Sequence, residues 1–468
     1  MSDPEPSPDS LRKQASDIFA RALESCSLQQ AFARKIRTAP GPTLLLEGHA
    51  PLDLQHIRRI RIVAIGKAAI PMLHGIYPLL PAACDISGIL IAPQQPANFP
   101  RAFQFFPGGH PVPNAASFDG ARAALAMLRQ AATPDPNAEP EADPAHTLCL
   151  FLISGGASAM MELPLAPDIS LEDTIAFHRA LVHSGASIAE INCVRKHFSA
   201  VKGGRLALAA GSCPTLSLLL SDVPPGHLDA LASGPTLPDP TTVARCHEII
   251  AQYRLMEQWP TSVQAFFNSA IPETPKAADL QPNLFTLLSS DDLAQAARRE
   301  AEHLGFHTVI DNTCDDWDYR PAAQHLLDHL RQLRATHPRV CLISTGELTV
   351  QVPANPGTGG RNQHFALHAA TLLTPADVPT AILSAGSDGI DGNSSAAGAI
   401  IDHATLHNPA ITPDEAAQAL EHFNANPILD RIGATLTTGP TGNNLRDLRL
   451  LLCDSPAPIV PTPNYAPL

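Results

Sequence analysis

No stretch of this 468-residue sequence is rich in lysine and arginine, and the formal net charge is −14. A nucleic-acid binder needs a basic surface, so that class is excluded, and a role on a membrane surface is disfavoured for the same reason. No uncharged apolar run reaches the roughly 18 residues that a spanning helix needs. The opening MSDPEPSPDS is polar and acidic, without a basic region leading into an apolar one, so no signal peptide is expected. None of the nine cysteines stands in a CxxC pair. Several lie inside apolar runs such as HTLCLFLIS, which points to buried free thiols and a cytoplasmic protein.

Common nucleotide and metal signatures are missing too. No GxxxxGK[ST] occurs, and no GxGxxG follows a strand. A calcium loop starting at Asp388 would need Asp or Asn two residues on, where Ile390 stands, and it lacks the closing glutamate. His303, His307, His325, His329, His364 and His368 include i,i+4 pairs. Without thiolates or an HExxH frame nearby, helix-surface positions are expected for them rather than a metal site.

What remains is an ordinary globular composition, 44% hydrophobic and 16% charged, in a chain too long for one core. Two domains are expected, with a boundary in the proline-rich, polar stretch around 259–283. The 46 prolines are scattered and imply many turns. Residues 1–10 read as disordered. Leu11, Ala15, Ile18, Ala22 and Cys26 then fall on one helical face. Residues 133–146 read as a Pro- and acid-rich surface insertion, and a helix with Ser117 or Asp119 near its start precedes it. Short apolar strands alternate with helices throughout, the pattern of parallel sheets covered on both faces, an α/β architecture.

In such sheets ligands bind at the carboxyl ends of the strands. Five strand exits carry unusual residues: AIGKAA, LISGGASA, LLLSDVPPG, ISTGELTV and LSAGSDGIDG. The first puts Lys67 at a helix start, a good place for an anion, or simply a solvent-facing lysine. The turn Ser154–Ala159, SGGASA, either cradles phosphate oxygens on its backbone N–H groups or packs a helix tightly on a strand. VRKHFSAVKGGR brings Arg195, Lys196, His197, Lys202 and Arg205 together, to neutralise a carboxylate or phosphate or to form a solvated face. Arg361, in GTGGRNQHFAL, has the fork that grips such groups. Asp222 ends a strand and opens a long loop containing Ser233, Gly234 and Thr236. His110 lies in GGHPVPN, where a structural role is the commoner one.

Taken in order, AIGKAA, GGHPVPN, LISGGASA, INCVRKHFSAVKGGRLA, LSDVPPGHLDALASGPTLPDPTT, GELTV, GTGGRNQ, GSDGIDGNSSAAGA and TGPTGNN resemble the class II glycerate 2-kinases over about residues 10–452. The resemblance implies two α/β domains, each a mostly parallel sheet covered by helices, with a cleft between them. The N-terminal domain, 1–270, would be Rossmann-like, and 281–468 would be the C-terminal MOFRL-type domain. It further implies transfer of the γ-phosphate of ATP to the 2-hydroxyl of D-glycerate with Mg²⁺ or another divalent metal.

By that resemblance Lys67, Asp222 and Arg361 form the catalytic core, with Asp222 accepting the hydroxyl proton or holding the metal. Ser154, Gly155, Gly156, Ser158, Asn192, Arg195, Lys196, Glu347, Asp388 and Asp391 would bind substrate or phosphate. The loop Ser384–Ala399 then reads as one wall of the cleft, its aspartates orienting side chains or metal-bound water. Ala157, His364 and Ser395 stand where the family usually has a glycine, an acidic residue and an aspartate. The expected partners are small molecules only, with neither nucleic acid nor membrane; a homo-oligomer is compatible with the sequence. Two other readings stay open. One is a hydroxypyruvate reductase, a name often attached to this family; the other is a non-catalytic sugar-phosphate-binding module.

Overall fold

The computed structural model describes residues 8–134, 143–224, 226–377 and 379–454. Most of the insertion read over 133–146, and the first seven of the ten N-terminal residues read as disordered, lie outside the described residues. The first helix, Pro8–Ser25, already starts within that N-terminal stretch. The chain forms two compact units, Leu28–Ser289 on one hand and Met1–Ser27 with Ser290–Leu468 on the other.

The Leu28–Ser289 unit is built on six parallel strands. Across the sheet they run Phe103–Pro107, Asp85–Ala92, Arg59–Ile65, Thr147–Ile153, Thr215–Leu220 and Leu284–Leu288. Numbered along the chain, that is the doubly wound order 3-2-1-4-5-6. Thr147–Ile153 is buried at every residue, as a central strand covered on both faces must be. The helix Ala115–Ala132 is capped by Asn114, and Ser117, expected near the helix start, completes the capping box from inside the first turn. A separate layer of helices, including Leu171–Val182 and Ile188–Phe198, closes around stacked Phe177 and Phe198 rings 4.0 Å apart.

The second unit departs from the expectation of a mostly parallel sheet. Its order is His307–Ile310, Arg339–Gly346, Asp447–Asp454, Thr380–Gly386, Gly398–Asp402 and Thr435–Leu436. Only the first pair is parallel; the last strand of the chain inserts antiparallel between Arg339–Gly346 and Thr380–Gly386. Continuous burial marks DLRLLLCD as a central strand, but an apolar run carries no information about direction. Its reversal has a consequence: Asp447, at the start of this strand, lies in register with Gly346 and Gly386 at the ends of its neighbours.

The units also divide differently from the 1–270 and 281–468 boundaries. Leu284–Leu288 closes the edge of the first sheet, and the next helix, Ser290–His303, belongs to the second unit. The N-terminal helix packs on that helix and on the second sheet. Leu11, Ala15, Ile18, Ala22 and Cys26 are all buried there, as their spacing predicts. An amphipathic helix needs an apolar partner, and sequence proximity does not choose it. Among the described residues no helix is long and apolar enough to cross a membrane. Phe19 is 1% exposed on the N-terminal helix. Phe19→Ala is expected to cost about 3–5 kcal/mol, read from denaturant unfolding.

Candidate active site

In the first unit the sheet changes winding direction between Arg59–Ile65 and Thr147–Ile153, the topological switch point where doubly wound folds bind ligands. The two strand exits are tied there. Ser154 N–H donates to Ile65 O (3.1 Å) and Lys67 N–H to Gly155 O (3.0 Å). Ser154 Oγ, fully buried, accepts from Ala68 N–H at 3.0 Å. Ser154 therefore positions the turn, and its hydroxyl is already engaged. Gly66 has φ +113°, and a Cβ on it would lie 2.4 Å from Ser154 Oγ. A Cβ on Gly155 would lie 2.1 Å from Asp222 Oδ2, so the half-buried Asp222, from the next strand exit, sits directly against the Gly155 backbone. Lys67 projects into solvent from the exit of Arg59–Ile65.

Beside this turn lies a cavity of about 410 Å³ lined by His110, Gly156, Ser158, His178 and Arg195 among others. Ser158 and Ser233 hydroxyls are 3.0 Å apart, and Ser233 donates to Asn192 Oδ1 at 3.0 Å. Ala232 and Ser233 hold left-handed backbone, φ 54° and 60°, so this relay sits on a strained turn. Burial, then the charge of Lys67, lowers the pKa of His110.

The basic run resolves into separate roles. Arg195 lines the cavity, and its buried Nε has no hydrogen-bond partner. Burial lowers its pKa, opposed by Glu162. Lys196, next on the helix, turns away into the protein and pairs with Asp229 (2.9 Å) and Asp239 (3.3 Å), so it is not free to take a ligand. Lys202 is buried against Glu162, which also holds His178 Nε2 at 2.9 Å. Burial raises the Glu162 pKa, but Lys202 and His178 outweigh it and hold the carboxyl far below its usual range. Glu162 and His178 were not singled out from the sequence, because neither stands in a strand exit.

In the second unit Arg361 is the first residue of the helix Arg361–Leu372. Its guanidinium is forked onto buried Asp447 (2.6 and 3.1 Å) and reaches half-buried Glu347 (3.0 Å). Burial disfavours its charge, but Asp447 and Glu347 together raise its pKa above the ordinary value. Arg361 and Glu347 are therefore partners, where the sequence offered them as separate ligand contacts. Asp447 and Arg446, which pairs with Asp315 at 2.5 and 2.7 Å, went unread. The available signal was a charged pair opening the apolar run after TGPTGNN.

The loop Ser384–Ala399 divides its two aspartates. Asp388 makes a local turn, accepting from Ile390 N–H at 3.0 Å. Asp391 is buried and accepts from the N–H groups of Asn362 (3.0 Å) and Gln363 (2.9 Å) and from the Gln363 amide (2.9 Å). It caps the Arg361–Leu372 helix and so positions Arg361 at its start. His364 is buried on this helix with Nδ1 on Gly360 O at 2.7 Å, and His368 is half-buried; neither is a surface position. His325 and His329 are half-buried as well, and both face Asp311.

These features define a two-domain α/β enzyme class with polar strand exits in both units. Residues 14–268 match a domain of unknown function, DUF4147, and residues 340–447 match the MOFRL family. The chain is 34% identical over 409 residues to a glycerate 2-kinase of Pyrococcus horikoshii, covering 85% of this chain and 88% of that one. It is 32% identical over 446 residues to a D-glycerate 2-kinase of Thermotoga maritima, covering 94% and 98%. An Agrobacterium vitis protein carrying the hydroxypyruvate reductase name is 33% identical over 403 residues, covering 84% and 87%. The crystal structure of Thermotoga maritima glycerate kinase superposes with a TM-score of 0.78 at 32% identity, over 95% of this chain and 100% of that one. The chain belongs to the class II glycerate kinase family.

Burial raises the Asp391 pKa from the ordinary 3.8 to about 6, although its amide donors pull the other way. A carboxyl raised on folding stabilises the protein below the unfolded pKa and loses that contribution as pH rises through the folded one. Stability from this group should therefore fall between pH of about 4 and 6, and Asp391→Asn should lack that component in pH-resolved unfolding. At neutral pH the same variant presents an amide to donors and is expected to cost about 1–3 kcal/mol.

Proposed function

We propose that this protein is an ATP-dependent glycerate 2-kinase that transfers the γ-phosphate to the 2-hydroxyl of D-glycerate, giving 2-phosphoglycerate and ADP. The observation that carries the reading is Lys67, the 154–158 turn and Asp222 gathered at the switch point of a chain of this family. Phosphoryl transfer needs alignment and charge neutralisation more than covalent chemistry. Lys67 compensates charge on the transferring phosphoryl group, and the backbone amides of Gly155, Gly156 and Ser158 hold phosphate oxygens. Arg195 takes the glycerate carboxylate, because it is the cavity's cation with an unpartnered nitrogen. Ser158 and Asn192 orient the hydroxyls through Ser233.

Asp222 accepts the proton of the 2-hydroxyl or holds a divalent metal. Mg²⁺ favours one or two carboxylates with phosphate oxygens and water, and half-buried Asp222 fits that requirement. When bound there, the ion would neutralise phosphate charge. Arg361 contributes through its Glu347 side: Glu347 is 35% exposed and exchangeable for a phosphate, whereas Asp447, 1% exposed, anchors the guanidinium. A reductase would need a glycine-rich dinucleotide turn at the first strand exit, where Gly66-Lys67-Ala68-Ala69 stands. Nine free thiols, eight of them buried, support a cytoplasmic location.

ADP release with ATP, Mg²⁺ and D-glycerate, followed by direct consumption of the product by enolase, is the expected result. A product that enolase accepts only after a mutase is added would place the phosphate on the 3-hydroxyl. Oxidation of NADH by hydroxypyruvate without ADP release would establish the reductase instead. Lys67→Met and Asp222→Asn should each lower kcat by about 10²–10³-fold or more with thermal unfolding unchanged. A metal ligand at 222 should raise the half-saturating Mg²⁺ concentration in Asp222→Asn. A proton acceptor should instead remove the acidic limb of the kcat profile. Arg195→Gln should act chiefly on the KM for glycerate.

A further inference from the structure

Asp311, His325 and His329 are the one group of His, Cys, Asp or Glu side chains among the described residues whose donor atoms gather tightly enough for a metal ion, all within 4.8 Å of one another. Asp311 follows the strand His307–Ile310, and its N–H donates to Ile343 O at 2.8 Å. Its Oδ1 accepts from Thr313 N–H at 3.0 Å, which aims Oδ2 at the helix Tyr319–Arg334. His325 and His329 lie one turn apart on that helix and share a face. His325 Nε2 is 3.0 Å and His329 Nδ1 2.6 Å from the same Oδ2. The carboxylate is 7% exposed and the imidazoles 35% and 29%, so the carboxylate is fixed while solvent reaches the rings.

We propose that Asp311, His325 and His329 bind a divalent transition-metal ion of the zinc class, using residues to which phosphoryl transfer gives no role. Two imidazole nitrogens and one carboxylate oxygen suit Zn²⁺, Co²⁺ or Ni²⁺, whereas Mg²⁺ and Ca²⁺ select oxygen ligands. Zinc–ligand lengths of about 2.0–2.2 Å put tetrahedral donor atoms roughly 3.3 Å apart. The His325 and His329 spacings to Oδ2, 3.0 and 2.6 Å, need to open by roughly 0.3 and 0.7 Å. The ring protons now directed at Oδ2 move to the other ring nitrogens, or leave if a ring is doubly protonated. Solvent completes the coordination on the exposed side. Burial raises the Asp311 pKa, but the Thr313 hydrogen bonds and both imidazoles outweigh it, so the carboxylate is ionised as a ligand must be. Thr313 is the outer partner that orients it.

Trp317 stands edge-on to His325 with ring centroids 5.5 Å apart and is 38% exposed, while the second tryptophan, Trp259, is buried in the other unit. The full chain, stripped with a chelator, is titrated with Co²⁺ and then Zn²⁺ at neutral pH. Expected are one equivalent of Co²⁺ with a visible ligand-field band, quenching of Trp317, and displacement by one equivalent of Zn²⁺ but not by excess Mg²⁺. The His325→Gln/His329→Gln double variant keeps N–H donors for Asp311, so its fold should hold. It should lose the band and the quenching and bind Zn²⁺ at least about 100-fold more weakly. Asp311→Asn, which keeps the Thr313 acceptor, should weaken binding in the same direction. Absence of saturable Co²⁺ or Zn²⁺ binding, displacement by stoichiometric Mg²⁺, or unaltered Zn²⁺ affinity in the double variant would overturn the proposal and leave a hydrogen-bonded His–Asp–His group.

Discussion

The first unit depends on the tie between its two central strand exits. Helices leave Arg59–Ile65 and Thr147–Ile153 toward opposite faces of the sheet, so the backbone there has lost its ladder partners. Ser154 replaces them: its hydroxyl serves Ala68 N–H, and the next carbonyl serves Lys67 N–H. A buried amide without a partner costs about as much as a lost hydrogen bond. The same contact fixes where Lys67 emerges, and the bare Cα of Gly155 admits the Asp222 carboxylate. One local constraint thus brings together residues more than a hundred positions apart in sequence.

Charge inside each unit follows a second constraint. Lys196, Lys202, Arg361 and Arg446 all hold carboxylates, since an uncompensated buried ion is strongly destabilising. Arg195, like Arg205, Arg339 and Arg449, has a buried guanidinium nitrogen without a hydrogen-bond partner, and Arg195 also lines a cavity. Arg361 solves the problem differently. One of its carboxylate partners is fully buried and the other is at the rim, so it is anchored and still able to exchange a partner.

Residue type and spacing made several features legible. The face of the N-terminal helix, the central strands and the ordered strand-exit motifs follow from periodicities and small-residue clusters that act locally. The places of Lys67, Gly155 and Asp222 at strand exits and of Arg361 at a helix start were readable, because such positions are marked by their own residues. Ser154, Lys196 and Asp391 engage partners inside the fold, a distinction invisible in sequence, because a polar residue that meets a ligand and one that holds its surroundings together look alike there. The i,i+4 spacing of His325 and His329 was visible; Asp311, their partner from the end of a strand, was not.

What the sequence by itself determined is the α/β class and the family, since burial periodicity and short motifs are properties of neighbouring residues. Only the tertiary structure decided that the last strand runs antiparallel and brings Asp447 to Arg361. It also assigned the first helix to the second unit and Leu284–Leu288 to the first sheet. The physical reason is that an apolar pattern states that a face must be covered, while the covering partner, its direction and the pairing of buried charges are set by packing between segments distant in the chain.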